Sequence, residues 1–371
     1  MRKLKPRSHG MSLVELLIAV AISSTLIAGA LFSYAEYRRV YSVSETLARV
    51  QEQARFAMGT IEPDVELAGY LGFSNNPDSV RLIQGAAPGV VLATAATLRQ
   101  RPLPPLPANP VPAPTLGASA HECGVNFAVD VATPVQGSNN VFLLGPAANA
   151  GCDPYGAGAA LGSDTLTLRR ASAVAVGPEA GRLQMFASRY TSRTAQRLFA
   201  DGVAPGALDG DNRVQNFMVR AYYISRDSVE RPGLPALRVK ALSRAGGAPA
   251  FIDNEIMPGV EDLQVQFGID SGDYDNDGAV DTAADQNGDG VPESDGRATR
   301  YVNPDFPGLD RLQVVAVRIW LRVRSEQLEP GFVDNRAYRY ADVDYTPVGA
   351  ERAFRRVLLT RTISLRNART L

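Results

Sequence analysis

Three groups of residues in this chain have types and spacings that bear on chemistry. The first is acidic. Residues 270–296, DSGDYDNDGAVDTAADQNGDGVPESDG, carry nine acidic side chains and no basic one. Two frames lie inside it: Asp273, Asp275, Asp277, Gly278 and Asp281, then Asp285, Asn287, Asp289, Gly290 and Glu293. Side-chain oxygens at loop positions 1, 3, 5 and 9, a backbone carbonyl at 7 (Ala279 and Val291) and a glycine at 6 that relieves the turn are what a short loop needs to wrap Ca2+. Position 12, where a bidentate acid belongs, is Ala284 in the first frame and Gly296 in the second, with Asp285 and Asp295 one residue away. The competing reading is a solvated acidic loop. Mutual repulsion at this charge density, and glycine at the sixth place of both frames, favour a bound cation.

The second group is the cysteine pair, Cys123 and Cys152, in an otherwise cysteine-free chain. In an oxidising compartment the pair reads as one disulfide, which would stabilise the fold by roughly 3 to 4 kcal/mol; two buried free thiols are the alternative. The third is Glu15, an acid inside an apolar run, where a carboxylate costs several kcal/mol unless it finds a partner.

The chemistry left out is equally informative. Beyond the first ten residues there is one lysine, Lys240, and one histidine, His121, so a Schiff base, a phosphate-loop lysine or a Ser-His-Asp triad would have to use that residue. No GxxxxGK[ST], HExxH or GxSxG pattern occurs, and an enzyme is not expected. The net charge of -1 falls to -5 once the four cations of the first ten residues are removed, which gives no electrostatic footprint for nucleic acid.

The elements that would position these groups begin at the N-terminus. Residues 1–10, MRKLKPRSHG, are basic and end in Gly10, and the 20 residues from Leu16 to Ala35 carry no charge. That is about 30 Å of helix, enough to cross a bilayer. A secretory signal would place its cleavage site after the apolar stretch, whereas here the polar-to-apolar junction, Gly10/Met11, lies before it. Farther on, Val43, Leu47, Val50, Ala54, Phe56 and Ile61 recur among charged residues, so the helix is expected to continue to about Leu67, with a kink or break at Pro63.

The basic leader, Gly10 and then MSLVELLIAVAIS resemble the processing motif of prepilins and pseudopilins. The resemblance implies cleavage after Gly10 by a prepilin peptidase and methylation of the new amine at Met11. It also implies that Glu15 neutralises the N-terminal amine of a neighbouring subunit during assembly. An anchor helix or an uncleaved signal would share the apolar run but explain neither Gly10 nor Glu15. Met11 stands where many family members have Phe, and Phe32 where major pilins often carry a helix-kinking proline. QEQARFAMGTIEPDVELAGYLGF and the closing RRVLLTRTISLRN look most like PilW-type minor pilins. The partners so implied are other major and minor pilins, the prepilin peptidase, the pilus assembly platform and the inner membrane. The head would be periplasmic and later carried on the fibre at the cell surface. A type II secretion pseudopilin and a tip adhesin are the alternative readings.

From Gly69 the helical period fades. LPPLPANPVPAPT, residues 103–115, reads as an extended loop, and strands are expected at 140–144, 164–170, 217–225, 236–242, 260–269, 311–324 and 353–365. In the 311–324 run Val315, Val317, Ile319, Leu321 and Val323 share a buried face, and the other face turns to Arg318, Trp320, Arg322 and Arg324. Trp320 is either a surface or interface residue or is packed under a loop. The expected fold class is α+β, a long N-terminal helical spine packed against an antiparallel β-sheet head. The expected divisions are a leader (1–10), a membrane and filament-core helix (11–35), its amphipathic extension (36–70) and a mainly β head (71–371). The acidic segment 270–296 compares best with the calcium loops of dockerin or thrombospondin repeats.

Overall fold

The computed structural model describes residues 12–73, 123, 127–131, 133–144, 152–189, 196–270, 296–309 and 312–368, and the backbone of 80–82. Among the described residues one long helix, α1 (Leu13–Glu66), comes first. It runs past Pro63, whose carbonyl still accepts the Leu67 N–H at 3.2 Å, so the proline costs a donor without ending the helix. Contacts divide the chain into two compact units, Met1–Arg49 and Val50–Leu371.

Among the described residues the second unit contains fourteen strands: β1 (Val80–Leu82), β2 (Val135–Ser138), β3 (Thr165–Val176), β4 (Ala180–Ser188), β5 (Gln196–Asp201), β6 (Asn212–Ser225), β7 (Ala236–Ala245), β8 (Ala248–Pro258), β9 (Val260–Asp270), β10 (Arg300–Val302), β11 (Gln313–Arg324), β12 (Tyr338–Tyr340), β13 (Val343–Tyr345) and β14 (Arg356–Ser364). The larger sheet runs β1-β5-β4-β6-β3-β2, and β6 also pairs β7, which pairs β8. The long β6 supports this branching by giving one stretch of an edge to β4 (212–216) and another to β7 (220–225). The smaller sheet, β10-β9-β11-β14, is antiparallel throughout, and β12 and β13 form a separate hairpin. The architecture is therefore α+β, and among the described residues the pairing is antiparallel except for β1 with β5.

Period explains the core. On the helix Val50, Ala54, Ala57, Met58, Ile61 and Val65 repeat at three and four residues and are all buried. They meet alternate residues of β9 (Leu263, Val265, Phe267, Ile269) and β11 (Val317, Ile319, Leu321, Val323), together with Leu166 and Tyr222 of the larger sheet. Gly259 turns the chain from β8 into β9 at φ +83°, and a Cβ there would stand 2.9 Å from the Arg324 carbonyl, so only glycine fits.

The strand expected at 140–144 is not one. The nearest strand, β2, ends before it at Ser138, and Asn140 takes a left-handed conformation (φ 56°), its N–H donating to the Asp164 carboxylate at 2.7 Å. The arginine half of β11 is also not solvent-facing. Trp320, Arg322 and Arg324 are buried, and the β12–β13 hairpin covers Trp320 with Tyr338 and Tyr340.

Candidate functional site

At the start of α1, the Ser12 hydroxyl accepts the Glu15 N–H at 3.2 Å while a Glu15 carboxylate oxygen accepts the Ser12 N–H at 3.4 Å. This reciprocal pair is a capping box, which satisfies two otherwise open donors of the first turn. The Ser-x-x-Glu spacing was present in the sequence, but the reading of Glu15 as a buried charge passed over it. The box holds the carboxylate at the amino end of the helix, beside the open backbone N–H groups of its first turn. Gly10 and Met11 lie outside the described residues.

The following helix is long and apolar enough to cross a membrane, and among the described residues its most apolar stretch is unburied. Its three consecutive hydroxyls are satisfied internally: Ser23, Ser24 and Thr25 donate to the carbonyls of Ala19, Ala21 and Ile22 at 2.7, 2.9 and 2.8 Å. Hydroxyls so paired can sit in hydrocarbon without open donors.

Within the second unit the helix is joined to the larger sheet by Asp64, which is 2 % exposed. One carboxylate oxygen accepts Arg170 Nη2 at 2.7 Å, and the other accepts Arg220 Nη1 at 2.7 Å and the Tyr222 hydroxyl at 2.5 Å. Burial, and then the negative charge of Asp64, push the Tyr222 phenol far up, so it remains a donor. No sequence pattern marked Asp64; the available signal was an acid on the apolar face of an amphipathic helix.

A second network covers the outer face of the smaller sheet. Arg356 makes a two-pronged contact with Glu261, at 2.8 and 3.0 Å, and Arg322 Nε reaches the same acid at 3.1 Å. The Tyr340 hydroxyl donates to Asp262 at 2.6 Å. Burial raises the Asp262 carboxyl, and the Arg322 charge opposes it. These arginines are structural cations, each desolvated and each paired. Lys240 has the same character: it is 2 % exposed and ion-paired with Asp253 at 2.9 Å. His121 lies outside the described residues.

Cys123 and Cys152 are disulfide-bonded, with Cα atoms 5.4 Å apart, and both are buried in the core between β3, β4, β5 and β6. Among the described residues no group of three or more metal-ligating side chains could hold an ion. The ten residues expected to ligate calcium, from Asp273 to Glu293, lie outside them.

Comparison with known proteins fits this arrangement. The family described as Prokaryotic N-terminal methylation motif matches residues 5–31, which hold Gly10, Met11, Glu15 and the start of α1. The family described as Type IV Pilus-assembly protein W matches residues 221–367, from late β6 through β14. The two matches support a type IV pilin-like protein of the PilW type. Among solved structures this pilin-like chain is similar to a type IV-like pilin, TTHA1219, from Thermus thermophilus, at 14 % identity. The match covers 56 % of this chain and 79 % of that one with a TM-score of 0.24, too loose a superposition to bear on the fold. No curated protein matches. The PilW-type match takes in both Glu261 and Arg356, so the covered outer face of the smaller sheet belongs to the part of the chain that the family describes.

Proposed function

We propose that this chain is a minor pilin. It is inserted in the inner membrane, cut by prepilin peptidase between Gly10 and Met11, methylated at Met11 and assembled through α1 to prime or cap a type IV fibre. The observation that carries the proposal is the capped, apolar and unburied start of α1 with Glu15 at its amino end, coinciding with the matched methylation motif. Glu15 then exchanges its bond to the Ser12 N–H for the methylated amine of a neighbour, a charged pair in a low-dielectric bundle in which each member offsets the other's desolvation. The calcium loop of residues 273–293 belongs to the same proposal and rests on the spacing of its oxygens; its role would be to stiffen the head outside the cell. Replacing Glu15 with leucine tests the assembly role. The variant should insert and be processed, yet its content in sheared fibres should fall at least about tenfold, as the loss of a desolvated charge pair predicts. Undiminished incorporation would refute the role given to Glu15.

A further inference from the structure

The last strand of the smaller sheet offers an open edge of defined extent. The Leu365 N–H donates to the Val315 carbonyl at 2.9 Å, and the register pairs Ser364 with Ala316 without a bulge back to Arg356 with Arg324. In an antiparallel ladder the N–H and C=O of alternate residues face the same partner, so the odd-numbered residues of β14 bond to β11 and the even-numbered ones point away. The outward edge is closed at both ends. The Arg356 carbonyl accepts Arg336 Nη2 at 2.9 Å, and the Arg366 N–H donates to the Glu66 carbonyl at 3.0 Å. Between them the outward groups of Leu358, Thr360, Thr362 and Ser364 meet no backbone among the described residues, a window of about 20 Å. The strand has no proline, no lysine and no bulge, the devices that ordinarily blunt such an edge.

One side of the window is a helix strip of Arg55, Gly59, Glu62 and Glu66, which share a face by their spacing of four, three and four. Glu62 is paired with Arg361 at 2.9 Å and Glu66 with Arg366 at 2.8 Å, which ties the strip to β14. At Gly59 an added Cβ would meet nothing within 4 Å, so the strip leaves room beside the edge. Arg55 is exposed and pairs with no acid among the described residues, and the exposed window side chains, Thr360, Arg361, Thr362 and Ser364, include no acid. The charge on offer is positive.

We propose that the edge of β14 from Leu358 to Ser364 is a strand-addition site, filled by an edge strand of a different pilin-like subunit that turns an acidic side chain toward Arg55. Main-chain pairing supplies the affinity and the acid-arginine contact selects the partner. The inference rests on the proposed pilin function, and the test separates the two. A photo-crosslinking residue is placed at Thr360 of the full-length chain in its native membrane, and in a second strain at Leu16 of the apolar helix; adducts are mapped by peptide mass spectrometry. The expected result at Thr360 is an adduct to a strand segment of another pilin-like subunit. It should fall about tenfold in Arg55→Glu, a surface change that leaves the sheet intact, and in Thr362→Pro, which removes an outward N–H. The Leu16 adduct should persist in both variants. A Leu16 adduct with none at Thr360, or a Thr360 adduct only to lipid or to another copy of this chain, overturns the strand-addition site and leaves the pilin function standing. Absence of subunit adducts at both positions overturns both.

Discussion

Asp64 concentrates more buried charge on one carboxylate than any other residue of the helix, because two arginines and a tyrosine hydroxyl all donate to it. Asp64→Asn would leave Arg170 and Arg220 without their counter-charge. The full-length chain in detergent should lose about 3 to 5 kcal/mol in denaturant unfolding, and a loss below about 1 kcal/mol would mean that the two arginines find other partners. Asp164 gives a pH dependence. It is 1 % exposed, and burial lifts its carboxyl from 3.8 to about 7 against the Asn140 and Val265 N–H groups that favour the charged form; Asp262 and Asp342 add to the rise. A carboxyl with a raised folded-state value stabilises the fold fully below pH 3.8 and loses that contribution as pH rises through about 7. Unfolding midpoints measured from pH 4 to 8 should therefore decline with pH, and the decline should flatten in Asp164→Asn. An equal slope in both proteins would show that Asp164 does not titrate in this window. Neither residue was legible in the sequence, since a buried acid is told from a surface acid only by what folds over it.

At the scale of elements, strands whose apolar residues alternate strictly were readable: β9 and β11 fall within one or two residues of their expected bounds. β4, β5 and β8 were not anticipated. Their buried positions include polar residues such as Gln184 and Gln196, and both β4 and β8 pair across an irregular register. Arg322 and Arg324 looked like surface residues because arginine usually is one; the covering hairpin lies 14 residues farther along and shows no pattern that ties it to β11. Its worth can be measured. Trp320→Ala should cost about 3 to 5 kcal/mol by opening a cavity under Tyr338 and Tyr340, against a near-neutral effect if Trp320 faced solvent. The Cys123–Cys152 bond closes a loop of sequence separation 29, and its reduction should lower stability by roughly 3 to 4 kcal/mol, read as a drop in unfolding midpoint with dithiothreitol.

For the whole molecule, the N-terminal signal was the sharpest in the sequence because bilayer thickness and desolvation leave few ways to arrange a basic leader, a glycine, an acid and an apolar run. The head's function was less legible, since it depends on which surfaces neighbouring subunits cover. The account stands on the apolar helix remaining in the finished protein. Intact-mass and N-terminal peptide mass spectrometry of the chain recovered from membranes and sheared fibres tests this most directly. The expected mature form begins at Met11, carries one methyl group on its amine and retains Glu15 and the apolar residues that follow. A mature chain that starts beyond the apolar run, or one that still carries residues 1–10, would contradict it.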